Sequence, residues 1–165
     1  MASPATSPRL PSATPLVIVG VACLAAVGAA LVSQHFFDMQ PCPWCVLQRL
    51  IFVAIAIVCL VGTVLRSGAV RLAAASLALL LALAGIAAAL WQHFKAAASA
   101  SCNLTLADKI ISGLQLDSAL PDVFAPRASC ADAAVSLLGI PYDFWSLALF
   151  VLCAAAALRT LRSRA

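Results

Sequence analysis

Cys42-Pro43-Trp44-Cys45 runs without a break into Val46-Leu-Gln-Arg49-Leu-Ile-Phe-Val-Ala-Ile-Ala-Ile-Val-Cys59-Leu-Val-Gly-Thr-Val-Leu65. A pair of cysteines therefore stands at the head of an apolar segment long enough to cross a bilayer, which takes about 20 residues. Three more apolar stretches, 16–32, 72–91 and 144–158, carry no charged residue, and this one carries only Arg49. The first and last are short and draw on Pro15, Ser33 and Thr160 to reach spanning length. The chain is 64% hydrophobic and 10% charged, whereas a soluble domain carries about 25% charge. The expected fold is an all-α membrane protein: a four-transmembrane-helix bundle, one domain over 1–165, with spans near 15–33, 46–65, 71–91 and 144–160.

Charge sorts by end. Arg9, Arg66, Arg71, Arg159, Arg162 and Arg164 flank the spans on one side with no acidic residue among them. The six acidic residues, Asp38, Asp108, Asp117, Asp122, Asp132 and Asp143, fall on the other, accompanied by Lys95, Lys109 and Arg127. By the positive-inside rule both termini are cytoplasmic, and the loops 34–45 and 92–143 face outward. The net charge of +4 is then a topology signal and gives no sign of a nucleic-acid partner. Residues 1–14, rich in Pro, Ser, Ala and Thr, read as a disordered cytoplasmic tail. The apolar run after Arg9 exceeds the about 7–15 residues of a signal-peptide core, and removing it would upset the charge sorting, so it counts as the first span.

The link across 66–71 is short, so the second and third spans form an antiparallel hairpin. The second outward loop, at about 50 residues, is far longer than an ordinary connection, and such loops tend to be functional or disordered. Within it Thr105-Leu-Ala-Asp108 has the form of a capping box. Leu106, Ile110, Ile111 and Leu114 then recur at helical spacing, with Gly113 and Pro121 limiting the helix. This short amphipathic helix lies in the membrane interface or packs on the bundle.

Of the seven cysteines, Cys23, Cys59 and Cys153 lie inside spans and read as small core hydrophobes. Cys42, Cys45, Cys102 and Cys130 face an oxidising compartment, where disulfides form. Four cysteines allow three connectivities. Cys42 and Cys45 are the natural local pair, leaving Cys102 with Cys130. A C-x-x-C disulfide closes so short a ring that it adds little to stability by the loop-entropy argument, so redox chemistry is its better use. The competing reading is a non-enzymatic membrane protein that binds metal through these cysteines, with His35 or His93 as added ligands. Cys102 and Cys130 form no second C-x-x-C, which counts against zinc.

Position sharpens the redox reading. Cys45 falls at the start of the second helix, where the dipole and unpaired amides favour a thiolate. Arg49, four residues on, lies on the same face one turn deeper. An ionisable group so near hydrocarbon is costly and points to function, stabilising the Cys45 thiolate or donating to the carbonyl of a lipid-soluble ligand. A snorkelling arginine is the plain alternative.

The string Cys42-Pro-Trp-Cys45-Val-Leu-Gln48-Arg49 closely resembles the signature of the bacterial disulfide bond formation protein B (DsbB) family. Asp122-Val-Phe124 ahead of Ser129-Cys130, then Leu138-Gly-Ile-Pro141 and Trp145, are similar to that family too. The resemblance covers nearly the whole chain and implies a bacterial inner-membrane enzyme, a protein-dithiol:quinone oxidoreductase. Its partner would be a periplasmic DsbA-like protein of thioredoxin fold, and its cofactor ubiquinone or menaquinone from the membrane pool. The resemblance assigns Cys102 the mixed disulfide with that partner. It passes electrons to Cys42–Cys45 through a Cys42/Cys130 link and sets Arg49 beside the quinone ring. The DsbA–DsbB–quinone system is itself the established case of a periplasm kept oxidising in this way. The family also places a polar residue, often histidine, near the outer end of the third span. Trp91-Gln92-His93 offers one, and His93 is either that quinone contact or an interfacial histidine with no catalytic role. Trp44, Trp91 and Trp145 fall where an interfacial aromatic belt is expected. A vitamin K epoxide reductase-like protein carries its C-x-x-C on a late helix, unlike this chain.

Overall fold

The computed structural model describes residues 14–65, 67–96 and 105–163. Helices α1 (Thr14–Phe36), α2 (Pro43–Val64) and α3 (Gly68–Trp91) follow one another, and α3 continues into a π-helical turn, Gln92–Ala96. The long loop then holds α4 (Leu106–Gly113), α5 (Leu116–Ala119), α6 (Pro121–Phe124) and the two-residue strands β1 (Ser136–Leu137) and β2 (Ile140–Pro141). The chain closes on α7 (Tyr142–Arg162). Residues 1–13, which make up nearly all of the expected tail, and Cys102 lie outside the described residues.

The four long helices are long and apolar enough to cross a membrane. Each is apolar around its whole circumference, as a helix in lipid must be. Their outer faces stay bare: Ile18, Leu24, Leu60, Leu80 and Leu152 are all exposed. α1 continues past the expected boundary to Phe36, so His35 is helical rather than in the loop, its Nδ1 2.9 Å from the Leu31 carbonyl. The added turn is held by Gln34, whose side chain is buried against the long loop.

Lipid gives helices no hydrophobic reason to associate, so contact depends on small residues that admit a close neighbour. α3 turns Ala74, Ala75, Ala78, Ala82, Gly85, Ala88 and Ala89 inward. At Gly85 the ring of Phe150 from α7 occupies the space a Cβ would need. Phe150 in turn stacks on Phe52 of α2, centroids 4.0 Å apart and planes 7° from parallel. The three intramembrane cysteines join this core: Cys23, Cys59 and Cys153 are buried, with the Cys23 and Cys153 sulfurs 3.7 Å apart. α2 packs on α1 and α3, and α3 on α7, while α1 and α7 meet less closely than these pairs.

The described residues between the spans at one end gather there: the 37–42 connection, α4 to α6, the hairpin and the head of α2. Arg71, Arg159 and Arg162 lie at the other end. α4 begins as expected, Thr105 and Asp108 forming a complete capping box. It packs on the bundle through Ala107 and Ile111 and leaves Leu106 and Leu114 exposed. The hairpin had no counterpart in the sequence reading. It pairs Ser136 with Pro141 and Leu137 with Ile140. Its turn residues Leu138 and Gly139 both have positive φ, 55° and 79°, the combination a tight two-residue turn requires.

Candidate active site

The head of α2 sets the geometry. Cys42 is the N-cap, extended at φ −84° and ψ 167°, and Pro43 occupies the first turn, where a missing N–H costs nothing. The Cys42 sulfur accepts the Cys45 amide at 3.3 Å. Three residues of helix then bring the two sulfurs, both free thiols in this structure, to 2.6 Å, so that a disulfide between them needs little movement.

Cys130 arrives from the long loop. Its position depends on two backbone bonds between loops, from the Arg127 and Ala128 amides to the Pro41 carbonyl, at 2.9 and 3.3 Å. Cys130 packs with Cys42, Trp44, Ala107 and partly buried Cys45. The Cys42 thiol donates to Cys130 and, with burial and the neighbouring Cys45, this pushes its proton affinity well up. Cys130 is shifted the other way: it accepts from the Cys42 thiol and from the Trp44 amide, against the opposing effect of burial. An α2 first-turn amide is thus aimed at the loop sulfur, and one cluster holds three of the four expected redox cysteines. Trp44 belongs to this cluster and stacks obliquely near Trp91, so it is core, whereas Trp91 and Trp145 remain exposed as a belt would have them.

Below the cluster lies a second layer of polar side chains. Gln34, Gln48, Arg49 and Gln92 are only 3%, 3%, 5% and 7% exposed. Arg49 donates from Nη1 to Gln34 Oε1 at 3.0 Å and to the Val123 carbonyl at 2.6 Å. Gln34 completes the link by donating to the Asp122 carbonyl at 3.2 Å. Arg49 therefore does not snorkel; it ties α1, α2 and α6 together. On the other side of α2, Gln48 donates to Gln92 Oε1 at 2.7 Å, and Gln92 donates to the Cys45 sulfur at 3.4 Å.

These layers border a cavity of about 990 Å³ set largely between α1 and α7. Ala26, Val27, Phe52, Leu149 and Leu152 give it apolar walls, and Cys45, Gln48, Arg49 and Gln92 give it a polar end. Arg49 Nε is buried with no hydrogen-bond partner among the described residues. A flat, largely apolar molecule with a carbonyl at one edge suits this lining: the oxygen would face the polar end formed by Gln48, Arg49 and Gln92, and the body would rest on hydrocarbon.

His93 is placed elsewhere. Its Nδ1 lies 2.8 Å from Asp143 Oδ2, and its ring packs against Phe94 and Phe144. It does not line the cavity; Gln92 does. Of the buried glutamines, Gln48 stood in the signature string and Gln92 beside His93 without a role assigned to either, and Gln34 had no signal beyond being polar at the end of an apolar run. That signal is weak but physical, since a polar group in a span must find a partner.

The family model described as disulfide bond formation protein DsbB matches residues 12–160. "Disulfide bond formation protein B 1" of Pseudomonas syringae pv. syringae (strain B728a) is 37% identical over 142 residues, covering 84% of this chain and 83% of the relative. "Disulfide bond formation protein B" of Herminiimonas arsenicoxydans is 33% identical over 146 residues, 88% of this chain and 92% of the relative. The protein of that name from Burkholderia thailandensis is 33% identical over 138 residues, 83% and 82% of the two chains.

Proposed function

This chain belongs to the disulfide bond formation protein DsbB family and is a multi-pass membrane protein, and on that premise we propose that it reoxidises a periplasmic DsbA-type thiol oxidase and passes the electrons to a membrane quinone. The bundle sits in a bacterial inner membrane with both termini cytoplasmic and the cysteine cluster periplasmic, the orientation that the charge sorting supports.

The observation that carries the reading is the convergence of Cys42, Cys45 and Cys130 in one cluster, with Cys45 lining the polar end of an apolar cavity. A partner thiolate attacks Cys102 of a Cys102–Cys130 disulfide, and Cys130 leaves as the thiolate. The Trp44 amide, aimed at the Cys130 sulfur, favours that charge. The Cys130 thiolate then attacks the Cys42 sulfur; the Cys42–Cys130 bond forms, the Cys42–Cys45 bond breaks, and the electron pair goes to Cys45. Thiol–disulfide exchange of this kind needs the sulfurs in contact and a leaving group stabilised as thiolate. Bound quinone would supply a two-electron, two-proton acceptor, held by Arg49, Gln48, Gln92 and the apolar walls of α1 and α7. Arg49 places a fixed positive charge next to Cys45, and the cavity's apolar lining excludes water that would compete for it.

Purified protein incubated with a reduced thioredoxin-fold partner and a soluble quinone, without oxygen, tests this. The wild type should reduce quinone stoichiometrically with partner oxidised, and Cys42→Ser or Cys45→Ser should abolish it. Full turnover by either single variant refutes the assignment. Stoichiometric zinc with permanently reduced thiols would favour the metal-binding alternative.

A further inference from the structure

We infer that Gln92 is a catalytic residue, donating its side-chain N–H to the Cys45 sulfur as that sulfur becomes a thiolate, and that Gln48 is a positioning residue that orients the Gln92 amide. The inference rests on the reading of Cys45 as a redox thiol.

Three observations carry it. The first is the chain of contacts from Gln48 Nε2 to Gln92 Oε1, 2.7 Å, and from Gln92 Nε2 to Cys45 Sγ, 3.4 Å. The second is burial: both glutamines are more than nine-tenths buried, so water cannot replace a bond that one of them loses, and an unmet amide there is expensive. The third is place. Gln92 opens the π-helical turn at the end of α3, and together with Gln48 and Cys45 it lines the cavity. π-helical turns recur at functional sites because they re-aim side chains. Here the adjacent His93 goes to Asp143 while Gln92 goes to the sulfur.

The order of the relay has a physical reason. A carboxamide can present N–H or C=O to sulfur, and only N–H stabilises a thiolate. Gln48 donates to Gln92 Oε1, which occupies the oxygen and leaves the amide nitrogen for Cys45. When Cys130 attacks Cys42, the S–S bond breaks and the pair of electrons lands on Cys45; the Gln92 N–H is already aimed there. Preorganised donors pointed at developing charge are the cheapest way to lower such a barrier. The other groups facing Cys45 are Cys42 at the N-cap, Arg49 on α2 and Cys130 from the loop, with Tyr142 of α7 near Arg49. None of these changes when Gln92 or Gln48 is replaced.

The test uses the full chain in micelles with Cys42→Ala, so that Cys45 is the one thiol left of the pair. Iodoacetamide alkylation of Cys45 is followed against pH by peptide mass. A hydrogen bond to a charged group is worth enough that Gln92→Leu should raise the midpoint by about one to two pH units, a 10- to 100-fold drop in thiolate at fixed lower pH. Gln92→Glu, which keeps the volume but faces the sulfur with a carboxylate, should raise it at least as far and serves where Gln92→Leu does not fold. Gln48→Leu should produce a smaller shift that vanishes when Gln92 is already leucine, the signature of action through a neighbour. A merely structural role would lower the melting temperature and leave the midpoint alone; an unmoved midpoint in folded Gln92→Leu or Gln92→Glu overturns the inference. Neither quinone nor thiol partner enters this readout. A shifted midpoint beside absent quinone reduction would uphold the inference and sink the proposed relay, and the reverse pair of results would do the opposite.

Discussion

Replacing Arg49 with methionine should loosen the loop that delivers Cys130, and the size of the effect follows from the contacts. Arg49 donates to Gln34 Oε1 at 3.0 Å and to the Val123 carbonyl at 2.6 Å. Bonds involving a charged group contribute about 1.5–3 kcal/mol each, and methionine, of similar length, makes neither. Methionine also carries no charge to desolvate, which offsets part of the loss. Gln34 keeps its own bond to the Asp122 carbonyl at 3.2 Å, and the Pro41 carbonyl still receives the Arg127 and Ala128 amides. Docking of 121–128 should therefore weaken by about 1–3 kcal/mol, about a 5- to 150-fold rise in local opening. Amide hydrogen exchange in nanodiscs reads this directly, because exchange by local opening scales with that population. The bonded amides of Val123, Phe124, Ala125, Arg127 and Ala128 should exchange faster by that factor, while amides of α3 serve as the unchanged reference. Equal protection across 121–128 in folded Arg49→Met protein would refute the docking role and leave Arg49 as a cavity residue alone.

Two further outcomes are expected. Gly85→Ala drives a methyl into the Phe150 ring and through it into the Phe52 stack that floors the cavity. Overpacking of this kind costs about 1–3 kcal/mol, so thermal unfolding in detergent should come earlier, and a variant as stable as wild type would contradict the packing described. Cys23→Ala, Cys59→Ala and Cys153→Ala together should leave quinone reduction nearly intact, because these sulfurs lie in the core and outside the cavity lining. A loss beyond about tenfold, equivalent to about 1.4 kcal/mol of barrier, in well-folded protein would give them a part they are not assigned here.

Much of this molecule was legible along the chain. Helix-forming runs of spanning length announce themselves by local composition, and the sorting of arginines from aspartates is a property of position in sequence. The Thr105–Asp108 capping box is equally local, and it forms as read. The C-P-x-C string at the head of α2 marked the chemistry, and its spacing of three residues alone brings the two sulfurs together, since the first helical turn does so wherever it occurs.

What the sequence by itself determined, then, is what depends on neighbours a few residues apart: four apolar helices and the dithiol at one tip. Which face of each helix turns inward was decided only by tertiary packing. In lipid an apolar helix has no wet side, so hydrophobicity cannot choose its rotation; small residues such as Gly85 and the alanines of α3 do, by admitting Phe150 and its neighbours. That choice carried Gln92 rather than His93 to Cys45. It set Gln34 and a carbonyl 74 positions along the chain against Arg49. It also brought Cys130 to the Trp44 amide in the first turn of α2.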